Sequence, residues 1–191
     1  MSKSQQIKSR LEQFKSLSEK QKFQEFMFCL LTPQSSAQRC WQAVEEISQL
    51  KNPSEKQISK ILSTKTRFHN TKAKRILEAE KTWKEVKPLL SSKNTLALRN
   101  VIAKQVNGYG LKEASHFLRN IGLSNNKIAI LDRHILRNLQ NLNLINNARV
   151  KSPKHYLEVE QIFLSFADRM RIPADELDLH WWSQENGEIF K

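Results

Sequence analysis

The sequence predicts an all-α protein. Apolar residues recur at helical spacing along nearly the whole chain, and no alternating, strand-like run longer than about four residues competes with them. The 191 residues include only 4 glycines and 5 prolines, too few for the frequent chain reversals of a β-sandwich or barrel. We therefore expect about nine or ten helices of roughly 8 to 18 residues each.

Two apolar stripes lie on either side of a break at Thr32-Pro33. Residues at i, i+3, i+4, i+7 and i+8 share one face of a helix. The stripe before the break has this spacing: Phe23, Phe26, Met27, Leu30 and Leu31. The stripe after the break continues it: Ala37, Cys40, Trp41, Val44 and Ile47. The pattern predicts two amphipathic helices joined by a short loop.

Further stripes follow in chain order, separated by residues typical of turns. The stripes are Ile58/Ile61/Leu62, Ile76/Leu77/Trp83, Leu98/Val101/Ile102, Ala114/Phe117/Leu118/Ile121, Ile135/Leu136/Leu139/Leu142 and Tyr156/Val159/Phe163/Phe166/Met170. The turn residues are Asn52-Pro53-Ser54, Gly108/Gly110, Gly122, Ser152-Pro153 and Pro173. Each apolar face needs a facing partner, so the helices are expected to pack against one another.

The charge of the chain favours a polyanionic partner. Lys and Arg number 32 against 19 Asp and Glu, which gives a net charge of +13. The excess is uneven, because residues 51–99 hold 13 basic and 4 acidic side chains whereas residues 173–191 hold 1 basic and 5 acidic. Such a distribution is typical of nucleic-acid binding, although a basic surface without a partner gives the same composition.

Neither a membrane span nor a cysteine-based site is predicted. The longest apolar run, residues 26–31, is far short of the roughly 20 residues that cross a bilayer, and residues 1–10 lack the apolar core of a signal peptide. Cys29 and Cys40 lie on apolar stripes and are too few for a disulfide framework or a metal cluster. We expect a cytoplasmic, nucleoid-associated monomer with reduced cysteines, no membrane contact and no cofactor.

The segment Gly108-Tyr109-Gly110 predicts a hairpin between two helices, within a helix-hairpin-helix motif at about residues 98–121. Glycine permits positive φ and lets backbone N–H groups face outward. The first turn of the following helix adds unpaired donors and the positive end of its dipole. Such a hairpin is suited to gripping a DNA phosphate, although many helical hairpins use glycine only as a cap.

Lys112 and Asp132 are the candidate catalytic pair. Lys112 falls in the first turn after the hairpin, where the positive helix end disfavours an ammonium and favours the neutral, nucleophilic amine. Asp132 follows twenty residues later at the start of another helix, which it can cap. The alternatives are a lysine that only neutralises phosphate and an aspartate that only caps.

These residues resemble the helix-hairpin-helix DNA glycosylase superfamily, and the likeness spans nearly the whole chain. The resemblance implies that Lys112 attacks the sugar and that Asp132 is the essential carboxylate. It also implies that Gln34, in the loop after Leu30-Leu31, fills the gap that an extruded base leaves in the duplex, and that His134 contacts phosphate. The implied fold is one two-lobed unit over residues 1–191 with a cleft between the lobes, whose boundary the sequence leaves open.

Within the superfamily, the chain is most similar to the compact archaeal and bacterial 8-oxoguanine DNA glycosylases with lyase activity. The likeness rests on the small size, the segment 67–73, the absence of a cysteine cluster and the ending 181–191. It implies that Phe68 and Trp182 sandwich the flipped guanine and that the terminal carboxylate of Lys191 contacts it. On composition alone, Phe68 would be a core residue, and the acidic tail looks flexible.

The resemblance further implies that no metal is required, although an alkali ion could bind the backbone of Lys104, Val106 and Tyr109. The expected function is excision of 8-oxoguanine from duplex DNA through a lysine Schiff base, with strand nicking by β-elimination. Two alternatives remain open at this stage. One is a glycosylase/lyase for oxidised pyrimidines, which would use the same pair, and the other is a non-enzymatic helix-hairpin-helix DNA-binding module.

Overall fold

The computed structural model describes residues 1–191, with the side chain of Asn186 left aside. Within this description the protein is helical and has no strand, as expected. The elements are α1 (Lys3–Lys15), α2 (Glu19–Leu31), α3 (Ala37–Ile47), α4 (Glu55–Ser63), α5 (His69–Val86), a 3₁₀ turn (Lys87–Ser91), α6 (Thr95–Gln105), α7 (Leu111–Asn120), α8 (Arg133–Asn141), α9 (Pro153–Met170) and α10 (Ala174–Asn186). None of these helices is long and apolar enough to cross a membrane.

Local sequence explains where several helices begin. Ser2, Ser18 and Ser54 each accept a hydrogen bond from the backbone N–H three residues on, and the glutamine at that position returns a bond to the serine N–H. This reciprocal capping box satisfies donors that a helix start otherwise leaves open. The starts of α1, α2 and α4 are therefore fixed by residues adjacent in sequence.

The larger hydrophobic core joins the helices from α2 to α7 and includes buried residues from Phe26 to Ile128. Phe26 lies at its centre, with its ring centroid 5.5 Å from that of Trp83, 5.3 Å from that of Tyr109 and 5.6 Å from that of Phe117. These contacts bring α2, α5, the hairpin and α7 together. Cys29 and Cys40 are buried in the same core as free thiols, as predicted.

A second core lies among α8, α9 and α10, with buried residues from Ala129 to Trp181. Along the chain, Ile128 is the last buried residue of the first core and Ala129 is the first of the second core. The sequence alone left this boundary between the lobes open. The fold is thus two-lobed, and α1 packs across it through Ile7 and Phe14 against Leu179 of α10.

A buried ion pair joins the lobes at this boundary. Nη1 of Arg99, on α6, lies 2.5 Å from Oε1 of Glu160, on α9, and each side chain is 1% exposed. The same carboxylate oxygen accepts the backbone N–H of Ala129 at 2.8 Å. Because an unpaired buried charge is costly, this contact fixes how the second lobe sits on the first.

Candidate active site

The hairpin between α6 and α7 uses its two glycines differently. Gly108 has φ +99°, and a Cβ atom there would lie 2.7 Å from the side chain of Arg75. Gly110 is extended, with φ −118°, so it does not use the positive φ that glycine permits. Of the two, only Gly108 has a backbone conformation that disfavours other residues, since the Arg75 side chain beside it can shift.

The side chain of Glu113 caps the start of α7. Its Oε2 accepts the backbone N–H of Gly110 at 3.0 Å, and its Oε1 lies 3.4 Å from Nζ of Lys112. From the sequence we expected this N–H to be exposed for phosphate and Lys112 to lie among positive charges. The carboxylate of Glu113 corrects both expectations. Phosphate binding by Gly108 and Gly110 stays a prediction, and at Gly110 it requires Glu113 to give up this bond.

Lys112 is the second residue of α7, and its side chain is 24% exposed. Its charge reaches the buried groups around it. Burial raises the pKa of the Cys40 thiol to about 11, and the positive charge of Lys112 opposes this rise. The same charge also contributes, after burial and Arg119, to the lowered pKa of His116, one helical turn further on. The amine therefore lies at the edge of the core while staying open to solvent.

Asp132 caps α8, as predicted. Its Oδ1 accepts the backbone N–H of His134 at 2.8 Å and that of Ile135 at 2.9 Å. Both cap bonds use one carboxylate oxygen, so the second oxygen is not needed for the cap. The residue as a whole is half-buried.

Asp178, on α10, connects the two candidates electrostatically. Burial raises the pKa of Asp178 to about 7, Arg119 and Lys112 act in the opposite direction, and the charge of Asp132 adds to the rise. Nη2 of Arg119 lies 3.3 Å from Oδ1 of Asp178. The charges of Lys112 and Asp132 therefore both act on this buried carboxyl group, in opposite directions.

His134 is engaged by acidic α10 in this structure. Its Nδ1 contacts Oε2 of Glu185, and the other oxygen of Glu185 accepts a hydrogen bond from Asn138 at 3.1 Å. Arg137 lies 3.8 Å from the same carboxylate. A phosphate that binds His134 therefore has to compete with Glu185, and the phosphate contact stays a prediction.

Gln34 and Phe68 are both exposed, and both have left-handed backbone conformations, with φ 55° and 58°. Phe68 precedes α5 and is 57% exposed, with the guanidinium of Arg67 5.8 Å from the centre of its ring. The expectation from composition that Phe68 is a core residue is wrong, because the left-handed turn directs it away from the core. An exposed amide and an exposed ring are suited to contacts with DNA.

The two tryptophans of α10 have different surroundings. Trp181 packs in the second core, 5.6 Å from Phe163 and 5.7 Å from Phe166 between ring centroids. The ring of Trp182 lies 6.3 Å from that of Phe190, in the tail. Trp182 is thus placed beside the end of the chain, where base recognition was predicted.

The tail after α10 is anchored, contrary to the flexible appearance of its sequence. Lys191 is 4% exposed, its ammonium contacts Oε1 of Glu25, and Nζ lies 3.2 Å from the ring centre of Trp41. The backbone carbonyl of Phe190 accepts a hydrogen bond from Nε of Arg10 at 2.8 Å. The last residue is therefore held against α2 and α3 of the first lobe.

Three residues that hold the site were missed by sequence reasoning. Glu113 had a readable signal, because a glutamate three residues after an N-cap is typical of a capping box. Glu25 and Lys72 are charged residues on helices that mix apolar and charged positions, and both are buried. No local pattern separates such residues from ordinary surface charges.

The described residues contain no cluster of three or more His, Cys, Asp or Glu that could hold a metal ion. The alkali-ion prediction concerns backbone carbonyls instead, and carbonyl oxygens are suitable ligands for hard cations. The carbonyl of Val106 already accepts the N–H of Tyr109 at 3.0 Å, although a carbonyl oxygen has a second lone pair. The alkali-ion site therefore stays a prediction, supported by the chemistry of its carbonyl donors.

Comparison with known proteins gives consistent matches over most of the chain. A family model described as 8-oxoguanine DNA glycosylase matches residues 7–172. A Fusobacterium nucleatum protein named 8-oxoguanine DNA glycosylase/AP lyase is 40% identical, over 97% of this chain and 91% of that protein. A Methanocaldococcus jannaschii protein of the same name is 34% identical, with the same two coverages.

Solved structures agree with these matches. The Methanocaldococcus jannaschii 8-oxoguanine glycosylase/lyase, in complex with a 15-mer DNA containing 8-oxoguanine, superposes with a TM-score of 0.85 at 30% identity. The 8-oxoguanine DNA glycosylase of Thermotoga maritima gives a TM-score of 0.86 at 32% identity. Each alignment covers 97% of this chain and 91% of the other.

Proposed function

The chain belongs to the 8-oxoguanine DNA glycosylase family, and from that premise we propose that Lys112 and Asp132 carry the reaction. The protein is a bifunctional DNA-repair enzyme, a DNA glycosylase with AP lyase activity that acts on duplex DNA containing 8-oxoguanine. The observation that best supports the residue assignment is that Lys112 lies in the first turn of α7, directly after the hairpin, while Asp132 caps α8 through one carboxylate oxygen and keeps the other free of the cap.

DNA binding begins with electrostatics. The net charge of +13, concentrated in residues 51–99, attracts the phosphate backbone without reading its sequence. The target nucleotide then leaves the stack, because its anomeric carbon cannot be reached inside a duplex. The exposed side chain of Gln34 fills the vacated space, while the hairpin at Gly108 and Gly110, together with His134, holds neighbouring phosphates. A cation on the hairpin carbonyls would add positive charge at the same place.

Base recognition takes place between the first lobe and the tail. Phe68 and Trp182 stack on the flipped base, and the terminal carboxylate of Lys191 accepts a hydrogen bond from it. 8-Oxoguanine carries a hydrogen on N7, where guanine has an acceptor lone pair. We expect a backbone carbonyl of the pocket to accept this N7 hydrogen. With guanine, the N7 lone pair would face that carbonyl without a hydrogen bond, at a cost of about 1–3 kcal/mol.

The chemistry follows from one amine and one carboxylate. The neutral amine of Lys112 attacks C1′ of the sugar as the glycosidic bond breaks, and the base leaves with the bonding electron pair and takes up a proton. Asp132 stabilises the positive charge that develops on the sugar and helps remove a proton from the amine. The sugar ring of this adduct then opens: the C1′–O4′ bond breaks, O4′ takes up the proton that the nitrogen loses, and a Schiff base forms at C1′. The Schiff base acidifies C2′, so loss of a C2′ proton expels the 3′ phosphate and nicks the strand.

Borohydride reduction tests this assignment. A duplex with 8-oxoguanine opposite cytosine should yield a covalent complex with the wild-type protein, since borohydride reduces a Schiff base to a stable amine. Lys112→Gln should keep DNA binding and lose the trapped complex. A trapped complex that persists in Lys112→Gln would move the nucleophile elsewhere. A thymine-glycol duplex run in parallel separates this enzyme from a glycosylase for oxidised pyrimidines.

Two further properties are part of the proposal. We expect the protein to act as a monomer, because the proposed pair, the hairpin and the anchored tail all belong to one chain. We also expect association with the nucleoid, because the same basic surface that binds damaged duplex binds undamaged DNA. Sedimentation of the free protein and its salt-dependent retention on undamaged DNA test these two expectations.

A further inference from the structure

A buried lysine outside the catalytic pair connects the two exposed residues that are assigned to DNA. Lys72, on α5, is 2% exposed. Its ammonium donates to the carbonyl of Leu31 at 2.7 Å, the carbonyl of Pro33 at 2.9 Å and Oγ of Ser35 at 2.9 Å. An ammonium has three N–H donors, so these contacts satisfy all of them.

The three acceptors surround Gln34 in sequence. They fix the chain on both sides of a residue whose own backbone has φ 55°. A non-glycine residue in this region is strained, so surrounding contacts must hold it there. The bonds to Lys72 are the contacts best placed to hold the Gln34 loop in this shape.

The same lysine is also linked to Phe68. Its backbone N–H donates to the carbonyl of Phe68 at 3.0 Å, as the first bond of α5. Oγ of Ser35, which accepts from the Lys72 ammonium, also accepts the backbone N–H of Arg67 at 3.0 Å. Ser35 and Lys72 therefore connect the Gln34 loop to the turn that presents Phe68.

Burying this ammonium has an electrostatic cost. Burial lowers the pKa of Lys72 to about 8, the charges of Arg75 and Lys112 add to the fall, and Cys40 opposes it. Its three hydrogen-bond acceptors are neutral groups, so the contact is less favourable than a buried ion pair. Leucine or methionine would fill the same volume in the core without the free-energy cost of burying a charge.

We propose that Lys72 is a positioning residue that holds Gln34 and Phe68 in a fixed relation, so that gap filling and base stacking occur together. The inference rests on the DNA contacts assigned above to these two residues. Lys72 itself touches neither base nor sugar in this scheme. Its effect should therefore be confined to steps in which a base is extruded and held.

Lys72→Met tests the anchor, because methionine keeps most of the side-chain volume and removes the three donors. Hydrogen exchange of the free protein should become faster at the amides of Ser35 and Arg67 together. Ser35→Ala is the milder variant, since it removes only the acceptor shared by the two segments. Lys154→Met, at an exposed position on α9, removes the same charge and should leave both amides unchanged.

The functional consequence is measured on two substrates. Excision of 8-oxoguanine from a duplex should fall by about 10- to 100-fold in Lys72→Met, the loss that a small misplacement of a positioned group produces. Cleavage of a single strand with a preformed abasic site needs neither gap filling nor stacking and should stay within about threefold of wild type. Adding Gln34→Ala to Lys72→Met should cause little further loss, because both changes remove the same function.

Three results overturn the proposal. Unchanged exchange at Ser35 and Arg67 would remove the anchor itself. Faster exchange with normal excision would show that the anchor has no role in base extrusion. Equal losses on the duplex and the abasic strand would make Lys72 a general stability residue. The exchange measurement needs no catalytic activity, so failure of the anchor and failure of the proposed function give different results.

Discussion

The last residue of the chain forms a buried ion pair with the second helix: the ammonium of Lys191 contacts Oε1 of Glu25, and the two side chains are 3% and 4% exposed. The second carboxylate oxygen of Glu25 accepts a hydrogen bond from Asn120, on α7, at 2.8 Å. Glu25 thus joins α2, α7 and the end of the chain. The side chain of Lys191 thereby holds the backbone of this residue beside α2.

Addition of one alanine after Lys191 should impair base selection while leaving the fold intact. Each added residue moves the terminal carboxylate by up to about 3.6 Å, whereas the pair with Glu25 uses the side chain and can remain. Excision of 8-oxoguanine should fall by more than tenfold, and cleavage at a preformed abasic site should persist. Equal activity of the extended and native chains on 8-oxoguanine would contradict the assignment of the terminal carboxylate.

Asp132→Asn should separate the capping role of this residue from its chemical role. Asparagine is about as good an N-cap as aspartate, so thermal unfolding should change little. Removing the negative charge beside the developing positive sugar should slow base release by about 100-fold or more. Single-turnover excision measured beside thermal unfolding checks both parts, and near-normal turnover would remove the assigned role.

Glu160→Gln should destabilise the protein strongly, although Glu160 lies outside the proposed site. It leaves the 1%-exposed guanidinium of Arg99 without a charged partner, and breaking a buried pair in this way costs about 3–5 kcal/mol. Urea unfolding measures the change. Glu158→Gln, at an exposed position on the same helix, is the matched control and should shift stability by less than about 0.5 kcal/mol.

Asp178 should make stability depend on pH. Burial raises its pKa to about 7 in the folded state, whereas an unfolded aspartate titrates near 3.9. Between these values the folded protein holds a proton that the unfolded chain does not. Its contribution to stability is therefore fully present below about pH 4 and is lost as the pH rises through 7. Asp178→Asn should reduce the fall in the urea midpoint between pH 5 and pH 8, and an unchanged fall would contradict the raised pKa.

Features encoded within a few neighbouring residues could be predicted from the sequence. The stripe Phe23 to Leu31 gives a helix wherever it packs, because its period is a property of the chain itself. Asp132 was expected to cap a helix and does so. The two-glycine hairpin followed by Lys112, with Asp132 twenty residues later, resembles known glycosylases closely enough to indicate the enzyme family.

Only the tertiary structure decided the surroundings of individual charged and aromatic side chains. Phe68 is exposed, whereas Lys72, Glu25 and Lys191 are buried, the reverse of what their residue types suggest. The burial of Lys72, Glu25 and Lys191 depends on contacts between segments 30 or more residues apart in the chain, such as Lys72 with the loop before α3 and Lys191 with Glu25. Helical periodicity arises from local backbone geometry, but burial of a charge depends on distant partners that arrive only when the helices pack.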